Sequence, residues 1–362
     1  MSVTFKVLSS SGPYHVEIGI GLKKIKATKK ENLFSLSDEL FANLWATSVP
    51  KDSHNILAIE QNKTLLTAAQ IIEAMRFQGI QRGSHLEAFG GGIIQDLATI
   101  VASLYMRGID WTYYPTTLLG MVDSCIGGKS SINVGNYKNI AGNFYPPKEI
   151  IIDVEFCKTL TLTEQVAGLC EAVKICYASQ SESFEQFITN FSGLALPLSS
   201  EQLLRLVELS LRTKKTFIEE DEFDRGPRLL LNFGHTFGHA IEAATNFSIT
   251  HGVAVGMGML AEIRAGLLLN QVDQLPERVK HLDAYIRSLF KHIPEMVQTL
   301  QNLNITKAIE AFKSDKKHLN QSYAIITIGK MGYLERALIP VSDNSNLVIV
   351  EIFEWLKKDF IQ

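Results

Sequence analysis

The 362-residue chain has only four cysteines, at positions 125, 157, 170 and 176, and none of them forms a CxxC pair. Disulfide frameworks and thiolate zinc sites need closely spaced cysteines, so these are expected to be reduced thiols in the core or in a pocket wall. The start MSVTFKVLSSSGPYHVEIGIG lacks a basic region followed by an apolar run, and no uncharged apolar stretch of about 18 residues occurs. We therefore expect a cytoplasmic protein without a membrane span.

Neither sign of charge is in marked excess, because 35 Lys and Arg face 38 Asp and Glu, for a net charge of -3. General nucleic-acid binding requires many clustered basic side chains, so no nucleic-acid partner is expected. A small anionic substrate needs only a local basic pocket. The 46% hydrophobic and 20% charged composition is typical of a globular protein, and the length predicts two domains.

The hydrophobic pattern changes near residue 160. Before it, short β-type runs alternate with helical patterns, which predicts a Rossmann-like α/β domain with a mostly parallel sheet over 1–160. After it, helical spacing predominates, which predicts a mostly α-helical domain over 161–362. The predicted strands are 14–20, 33–37, 55–59, 85–89, 111–114, 149–153 and 323–329. The predicted helices are 37–46, 65–78, 96–106, 163–178, 200–220, 235–245, 252–269 and 347–360.

A glycine-rich turn, Gly90 to Asp96, follows the predicted strand 85–89. Glycines let backbone N–H groups approach a pyrophosphate, and a following helix N-terminus favours its charge. The spacing is not GxGxxG, so an ordinary tight turn is an equal alternative. Thr116 and Thr117 follow the next strand, where α/β sheets bind ligands. Their hydroxyls would contact a ribose or an amide, or would satisfy local turn amides.

Three of the nine histidines, His235, His239 and His251, fall within 17 residues. The first two stand at i and i+4, on one face of a helix that we expect to begin near Asn232. Glu171 lies on an apolar helical stripe, where a carboxylate is costly unless it is paired or metal-bound. One carboxylate and two imidazoles suit zinc or a similar divalent ion, and the absence of HExxH disfavours a zincin protease. The alternative is histidines satisfied locally, with Glu171 paired to Lys174 within the helix.

Basic side chains recur beside these motifs and suggest a pocket for an anion. They are Arg107, Lys129, Lys138, Lys174, Lys214, Arg228, Lys316 and Lys317. Lys129 follows two glycines and precedes hydroxyls, like a phosphate cradle, but Asp123 occupies the first glycine position of a Walker motif and so excludes a P-loop ATPase. Arg228 and Asn232 would place a guanidinium and an amide near the metal as an anion clamp. Any one of these lysines alone would be an ordinary surface charge.

Taken in order, these motifs resemble the 3-dehydroquinate synthase family of sugar-phosphate cyclases, from about Asp38 to Gly329. The segments that carry the resemblance are Gly90 to Asp96, Tyr105 to Ile109, Pro115 to Leu119, Asp123 to Asn133, Lys138-Asn139, Glu171 to Lys174, Leu231 to Glu242, His251-Gly252 and Asp315 to Lys317. The resemblance implies an N-terminal NAD domain, a C-terminal helical metal domain and a homodimer. The implied reaction converts 3-deoxy-D-arabino-heptulosonate 7-phosphate to 3-dehydroquinate and phosphate in the shikimate pathway.

The resemblance also implies roles for individual residues. Zinc, or cobalt, would be held by Glu171, His235 and His251. NAD would be approached by Asp38, Glu60, Lys63, Gly91, Gly92, Ile93, Asp96, Thr116, Thr117, Lys129, Lys138 and the segment from Phe156 to Thr159. The phosphate would be surrounded by Lys129, Asn139, Arg228, Asn232, His239, one of Lys316 or Lys317, and Arg107 of the partner subunit. Substrate hydroxyls and carboxylate would be oriented by Asp123, Lys174 and Lys214.

The implied chemistry suits these residue types. A metal that binds two neighbouring substrate oxygens polarises the C–O bond and aligns the C–H bond for hydride transfer to NAD. Oxidation acidifies the adjacent C–H, phosphate leaves by β-elimination, the hydride returns, and an aldol closes the ring, so NAD is regenerated. The substrate phosphate is the expected proton acceptor, with His239 as the second candidate.

Two other enzyme classes remain as alternatives. Another cyclase would make an inosose or a valiolone, but Arg228 and Lys214 suit a substrate with a carboxylate as well as a phosphate. A polyol dehydrogenase of the glycerol dehydrogenase type would release NADH and would not need the basic cluster. A noncatalytic paralogue is disfavoured because every expected ligand is present. Segment 134–137 and Val253 depart from the family pattern, which bears on the identity of the substrate.

Overall fold

The computed structural model describes residues 2–22, 32–135, 137–270, 275–315, 317–319 and 321–359. The strands are β1 (Ser2–Val7), β2 (Tyr14–Gly19), β3 (Leu33–Asp38), β4 (His54–Ile56), β5 (His85–Gly90), β6 (Asp110–Pro115), β7 (Ile132–Val134), β8 (Tyr137–Ala141), β9 (Glu149–Asp153), β10 (Ser322–Ile328) and β11 (Leu334–Pro340). The α-helices are α1 (Glu39–Leu44), α2 (Leu65–Phe77), α3 (Gly92–Leu104), α4 (Leu162–Ala178), α5 (Ser183–Phe191), α6 (Ser200–Glu220), α7 (His235–Ala244), α8 (His251–Asn270), α9 (Glu277–Phe290), α10 (Glu295–Gln301), α11 (Ile305–Lys313) and α12 (Asp343–Asp359).

The chain forms two compact units. One contains Met1–Leu160 and Leu198–Phe223, and the other contains Thr161–Pro197 and Asp224–Gln362. The first is an α/β unit and the second is mostly helical, so the predicted fold class is confirmed. Helix α6, which the sequence analysis placed with the second domain, instead belongs to the first unit.

The first unit is built on a seven-stranded sheet of order β1-β2-β9-β6-β5-β3-β4. All neighbouring strands pair in parallel except β1 and β2, which are antiparallel. The central strands are nearly fully buried, as expected for a parallel sheet that is covered on both faces. The six strands predicted in this half are present, whereas the edge strand β1 was not predicted.

Helix α3 begins at Gly92, directly after β5, four residues before the predicted start. The glycines permit this sharp entry because a Cβ on Gly90 would lie 2.4 Å from Ile94 Cγ1, and one on Gly91 would lie 3.0 Å from Thr117 Cγ2. The turn therefore packs the strand end closely against the helix start. It also leaves the first N–H groups of α3 without intrahelical partners.

Helix α6 joins the first unit through both apolar and polar contacts. Its buried face includes Leu206, Val207 and Leu211. The hydroxyl of Ser210 donates to the carbonyl of Val122 at 2.9 Å, and the N–H of Leu8 donates to Glu219 Oε1 at 2.8 Å. These bonds explain why an amphipathic helix that follows residue 160 packs with the earlier part of the chain.

The second unit is organised around α8. By length and composition alone, His251–Leu269 would suffice to cross a membrane, but 78% of that window is buried within the protein, as in a core helix. Helix α7 packs on α8 at backbone distance, since a Cβ on Gly258 would lie 1.9 Å from the carbonyl oxygen of Gly234. The β10–β11 hairpin completes the unit; β10 matches the predicted 323–329 to within one residue, and β11 was not predicted.

Candidate functional site

Three histidines of the second unit converge at the start of two helices. His235 opens α7, His239 follows one turn later, and His251 opens α8. One ligating atom of each lies within 4.8 Å of the others. This is the only cluster of three or more His, Cys, Asp or Glu ligands with metal-binding spacing found in the described part of the chain.

Glu171 brings a carboxylate to this cluster from helix α4, which is buried from Gln165 to Ala178. Its side chain is 0% exposed, and its Oε2 pairs with the ammonium group of Lys174. Its Oε1 lies 3.6 Å from His251 Nε2 and has no hydrogen-bond partner among the residues that the structure describes. A buried carboxylate oxygen without a partner is costly, and a cation would satisfy it.

The outer nitrogen of each imidazole faces an acceptor. His251 Nδ1 lies 3.0 Å from Glu242 Oε2, and His235 Nδ1 lies 3.2 Å from the carbonyl of Phe233. His239 Nδ1 lies 3.7 Å from Asp315 Oδ2. The hydrogen-bonded acceptors at His251 and His235 favour a proton on Nδ1, which leaves Nε2 of these two rings as a lone-pair donor.

The pKa shifts differ between the rings of the cluster. Desolvation and the Lys174 cation hold the pKa of His235 well below its usual range, so this ring is neutral near pH 7, the form that ligates metals. Desolvation lowers the pKa of His251 too, but the hydrogen bond to Glu242 and the charges of Glu242 and Glu171 outweigh it and raise the pKa overall. Imidazoles and one carboxylate around an open position fit zinc or a similar ion.

The structure brings the predicted metal residues Glu171, His235 and His251 together. It also places His239 among them, although the sequence analysis gave that residue a role at the phosphate. The partners Glu242 and Asp315 lay within the motifs that were noted in the sequence, but they were assigned no role. Glu242 stands at i+3 from His239, a spacing that would have brought it to the same helical face.

The basic residues of the second unit lie in varied settings. Arg228 is 3% exposed, and Asn232 donates to the carbonyl of Leu229 at 3.1 Å. Both belong to a 3₁₀ segment, Pro227–Asn232, and Gly234 with φ 80° separates it from α7. The expectation that α7 begins near Asn232 is therefore wrong, because this left-handed glycine interrupts the helical path. Lys316 lies outside the described residues.

In the first unit, predicted nucleotide residues form one polar network. Lys63 Nζ lies 3.2 Å from Asp96 Oδ2 and donates to Asn139 Oδ1 at 2.7 Å. Glu60 lies 3.8 Å from Lys138 Nζ. Asp96 also accepts a hydrogen bond from the N–H of Ser131, yet burial raises its pKa to about 6 despite the charge of Lys63.

Other predicted nucleotide residues have local structural contacts. Asp38 accepts a hydrogen bond from the N–H of Leu40 and so caps α1. Thr117 accepts one from the N–H of Gly120, which is the turn contact considered from the sequence. Phe156 is buried against Phe41 and Trp45, as a core side chain would be. Thr159 accepts from the indole N–H of Trp45 at 3.1 Å, and Thr116 is buried, with its N–H donating to Gly90.

The remaining basic residues of the first unit lie in three environments. Lys214 of α6 pairs with Asp123 Oδ1 at 2.8 Å and donates to the carbonyls of Asp123 and Ile126. Lys129 Nζ lies 6.0 Å from the ring centre of Phe144. Arg107 is exposed and has φ 69°, a left-handed conformation that is unusual for a residue with a side chain.

Comparison with known proteins gives a consistent set of matches. The family described as 3-dehydroquinate synthase N-terminal matches residues 53–167, and its C-terminal counterpart matches residues 168–318. A 3-dehydroquinate synthase from Sulfurisphaera tokodaii is 36% identical over 260 residues, which are 71% of this chain and 72% of that protein.

Two solved structures show a similar fold. One is a 2-deoxy-scyllo-inosose synthase complexed with carbaglucose-6-phosphate, NAD+ and Co2+; it has a TM-score of 0.80 and 22% identity and covers 98% of this chain and 99% of its own. The other is a 2-epi-5-epi-valiolone synthase from Streptomyces hygroscopicus with NAD+ and Zn2+ bound; it has a TM-score of 0.76 and 22% identity and covers 96% and 97%.

Proposed function

Because the chain belongs to the 3-dehydroquinate synthase family, we propose that it converts 3-deoxy-D-arabino-heptulosonate 7-phosphate to 3-dehydroquinate and phosphate. The enzyme is a lyase that depends on NAD and a divalent metal and acts in the shikimate pathway. One observation carries the proposal. Glu171 Oε1, which has no hydrogen-bond partner among the described residues, lies beside three imidazoles whose ligating nitrogens are within 4.8 Å of one another.

We propose that Glu171, His235 and His251 hold zinc or cobalt. When bound, the metal would supply Lewis acidity toward the substrate and NAD would supply a hydride acceptor that is regenerated in each turnover. The Lys174 ammonium pairs with the buried Glu171 carboxylate and so positions it. The substrate phosphate is the proposed proton acceptor, and His239, whose Nδ1 lies 3.7 Å from Asp315 Oδ2, is the second candidate for moving a proton.

The nucleotide is assigned to the first unit. The entry from β5 into α3 presents the backbone N–H groups of Gly92 and Ile93, which suit a pyrophosphate. The network of Lys63 and Asp96 lies on the same unit and offers both charge and hydrogen-bonding groups. The proposed contacts are Asp38, Glu60, Lys63, Gly91, Gly92, Ile93, Asp96, Thr116, Thr117, Lys129, Lys138, Phe156 and Thr159. The two solved cyclases with bound NAD+ support this assignment.

The anionic groups of the substrate are assigned to the basic residues. We propose that phosphate is bound by Lys129, Asn139, Arg228, Asn232, His239 and one of Lys316 or Lys317. Arg107 of the partner subunit adds a further contact in a homodimer. Asp123, Lys174 and Lys214 orient the hydroxyls and the carboxylate. A cytoplasmic location is also proposed, and the four free, buried cysteines suit such a reducing compartment.

The test is a substrate panel in which released phosphate and accumulated NADH are measured in parallel. The NAD- and metal-loaded protein is incubated with the heptulosonate phosphate, a hexose 6-phosphate and a heptose 7-phosphate. We expect phosphate from the heptulosonate alone and no net NADH. Phosphate from the hexose or heptose would indicate an inosose or valiolone synthase instead, and net NADH would indicate a polyol dehydrogenase.

A pair of variants connects the activity to the proposed site. His235→Ala removes a proposed ligand and should abolish phosphate release. His281→Ala changes an exposed histidine of α9, outside the cluster, and should leave the activity at the wild-type level. Equal activity in both variants would contradict the assignment of the metal ligands.

A further inference from the structure

Helix α8 carries one carboxylate in the middle of an apolar surface. Glu262 is 0% exposed, and its Oε2 accepts a hydrogen bond from the N–H of Gly234 at 2.6 Å. Its other oxygen, Oε1, has no hydrogen-bond partner among the described residues. A buried carboxylate on a core helix is costly, so its bond to the start of another helix needs an explanation.

The stretch that Glu262 contacts is the start of α7. The first N–H groups of a helix have no intrahelical acceptor, and a capping side chain normally satisfies one of them. The residue before α7 is Gly234, which has no side chain to do so. Glu262 supplies the missing acceptor from another helix.

A second acidic group lies one turn further along α7. Asp315 Oδ2 lies 3.7 Å from Nδ1 of His239. The same Asp315 oxygen lies 3.5 Å from Lys317 Nζ. Glu262 at Gly234 and Asp315 at His239 therefore face the two parts of α7 that carry histidines of the cluster.

Close packing makes the position of α7 depend on this cap. The carbonyl of Gly234 lies against Gly258, and a Cβ on Gly238 would lie 3.0 Å from the carbonyl oxygen of Ala254. Neither helix has room to shift toward the other. If the bond to Gly234 were lost, the first turn of α7 would move away from α8 and carry the ring of His235 with it.

We propose that Glu262 is a positioning residue for the metal centre, which sets the place of His235 by capping α7 from α8. The inference rests on the metal site of the proposed function. It assigns Glu262 no contact with metal or substrate. Its expected effect is on metal affinity, beyond any effect on the stability of the fold.

The test compares metal affinity in four variants by competition with a chromogenic chelator, using Co2+ or Zn2+, with thermal unfolding measured alongside. Glu262→Met replaces the carboxylate by an apolar chain of similar length and should weaken metal binding by about 10- to 100-fold. Glu262→Gln keeps an acceptor for Gly234 and should bind metal almost as wild type does. Glu262→Asp shortens the side chain and should also weaken binding, and it carries the test if the Met variant does not fold.

The matched control is Thr327→Val. The Thr327 hydroxyl donates to the backbone carbonyl of Glu262 at 2.8 Å, so this variant removes a buried hydrogen bond at the same residue without touching the cap. It should lower thermal stability but leave metal affinity unchanged.

Two results would overturn the inference in distinguishable ways. If the wild-type chain binds metal but the Met and Asp variants bind it equally well, Glu262 has only a structural role. If the wild-type chain itself binds no metal, the proposed metal site fails and this inference fails with it.

Discussion

The buried ion pair of Glu171 and Lys174 should respond strongly to removal of one partner. Their side chains are 0% and 2% exposed. Removing one partner of such a pair leaves an uncompensated buried charge, which typically costs about 3–5 kcal/mol. In the metal-free protein, Lys174→Met should therefore destabilise the second unit by about that amount. The double variant Glu171→Gln, Lys174→Met should lose much less, because neither buried charge remains.

Metal should change the size of this effect. A divalent ion beside Glu171 Oε1 would compensate the carboxylate that Lys174→Met leaves unpaired, so the loss should shrink when metal is saturating. The assay is urea unfolding followed by circular dichroism, with and without metal, on the wild type, both single variants and the double variant. Because a chain of two units need not unfold in one step, the quantity compared is the midpoint of the metal-sensitive transition. Equal losses in Lys174→Met and the double variant, unaffected by metal, would refute the reasoning.

Three further predictions concern other buried positions. Burial raises the pKa of Asp96 from 3.8 to about 6, so the folded protein binds a proton more tightly here than the unfolded chain does. The free energy of unfolding should therefore fall by up to about 3 kcal/mol as the pH rises from about 4 to 6. Asp96→Asn should remove this dependence, and equal slopes of unfolding free energy against pH in both proteins would contradict it. Gly258→Ala places a Cβ 1.9 Å from the Gly234 carbonyl oxygen and should cost about 3 kcal/mol or more in a thermal or urea titration. Glu242→Ala removes the acceptor at His251 Nδ1 and should weaken metal binding about 10- to 100-fold by chelator competition, whereas Glu242→Gln should largely preserve it.

The fold could be predicted where the hydrophobic pattern is local and strong. Strands β5, β6 and β9 each contain consecutive apolar residues, Ala88-Phe89, Tyr113-Tyr114 and Ile150 to Ile152, as is typical of a covered parallel sheet. Strand β1 alternates between exposed and partly buried residues at the sheet edge and gives a weaker signal. The start of α3 was set too late because glycines suggest a turn, whereas here the chain enters the helix at Gly92 itself.

Helix α6 shows a different limit. Its amphipathic pattern correctly predicts a helix over Ser200–Glu220 with one buried face. The pattern cannot say which core covers that face, because any apolar surface would serve. The partners that decide it, the carbonyl of Val122 and the N–H of Leu8, are distant in sequence. Position after residue 160 was therefore a poor guide to the unit that the helix joins.

For the histidine cluster, spacing along the chain identified the members but not the groups that hold them. His235 and His239 are one turn apart and can be read from the sequence. Asp315 and Glu262 are remote in sequence and reach α7 only through tertiary packing. A local sequence pattern predicts which side chains share one face of a helix. The orientation of a histidine ring depends on hydrogen-bond acceptors that other helices and loops supply.

The same distinction separates two of the positions that differ from the pattern expected of the family. Val253 is 2% exposed inside α8, so an apolar residue there is accommodated by the core and removes no group from the cluster. Val134 and Tyr137 are 38% and 73% exposed, on a hairpin that leads into Lys138. The side chains of Val134 and Tyr137 are accessible to a ligand, whereas Val253 packs in the core. A difference in substrate from other members of the family should therefore be sought in the hairpin, by exchanging Val134 and Tyr137 and repeating the substrate panel.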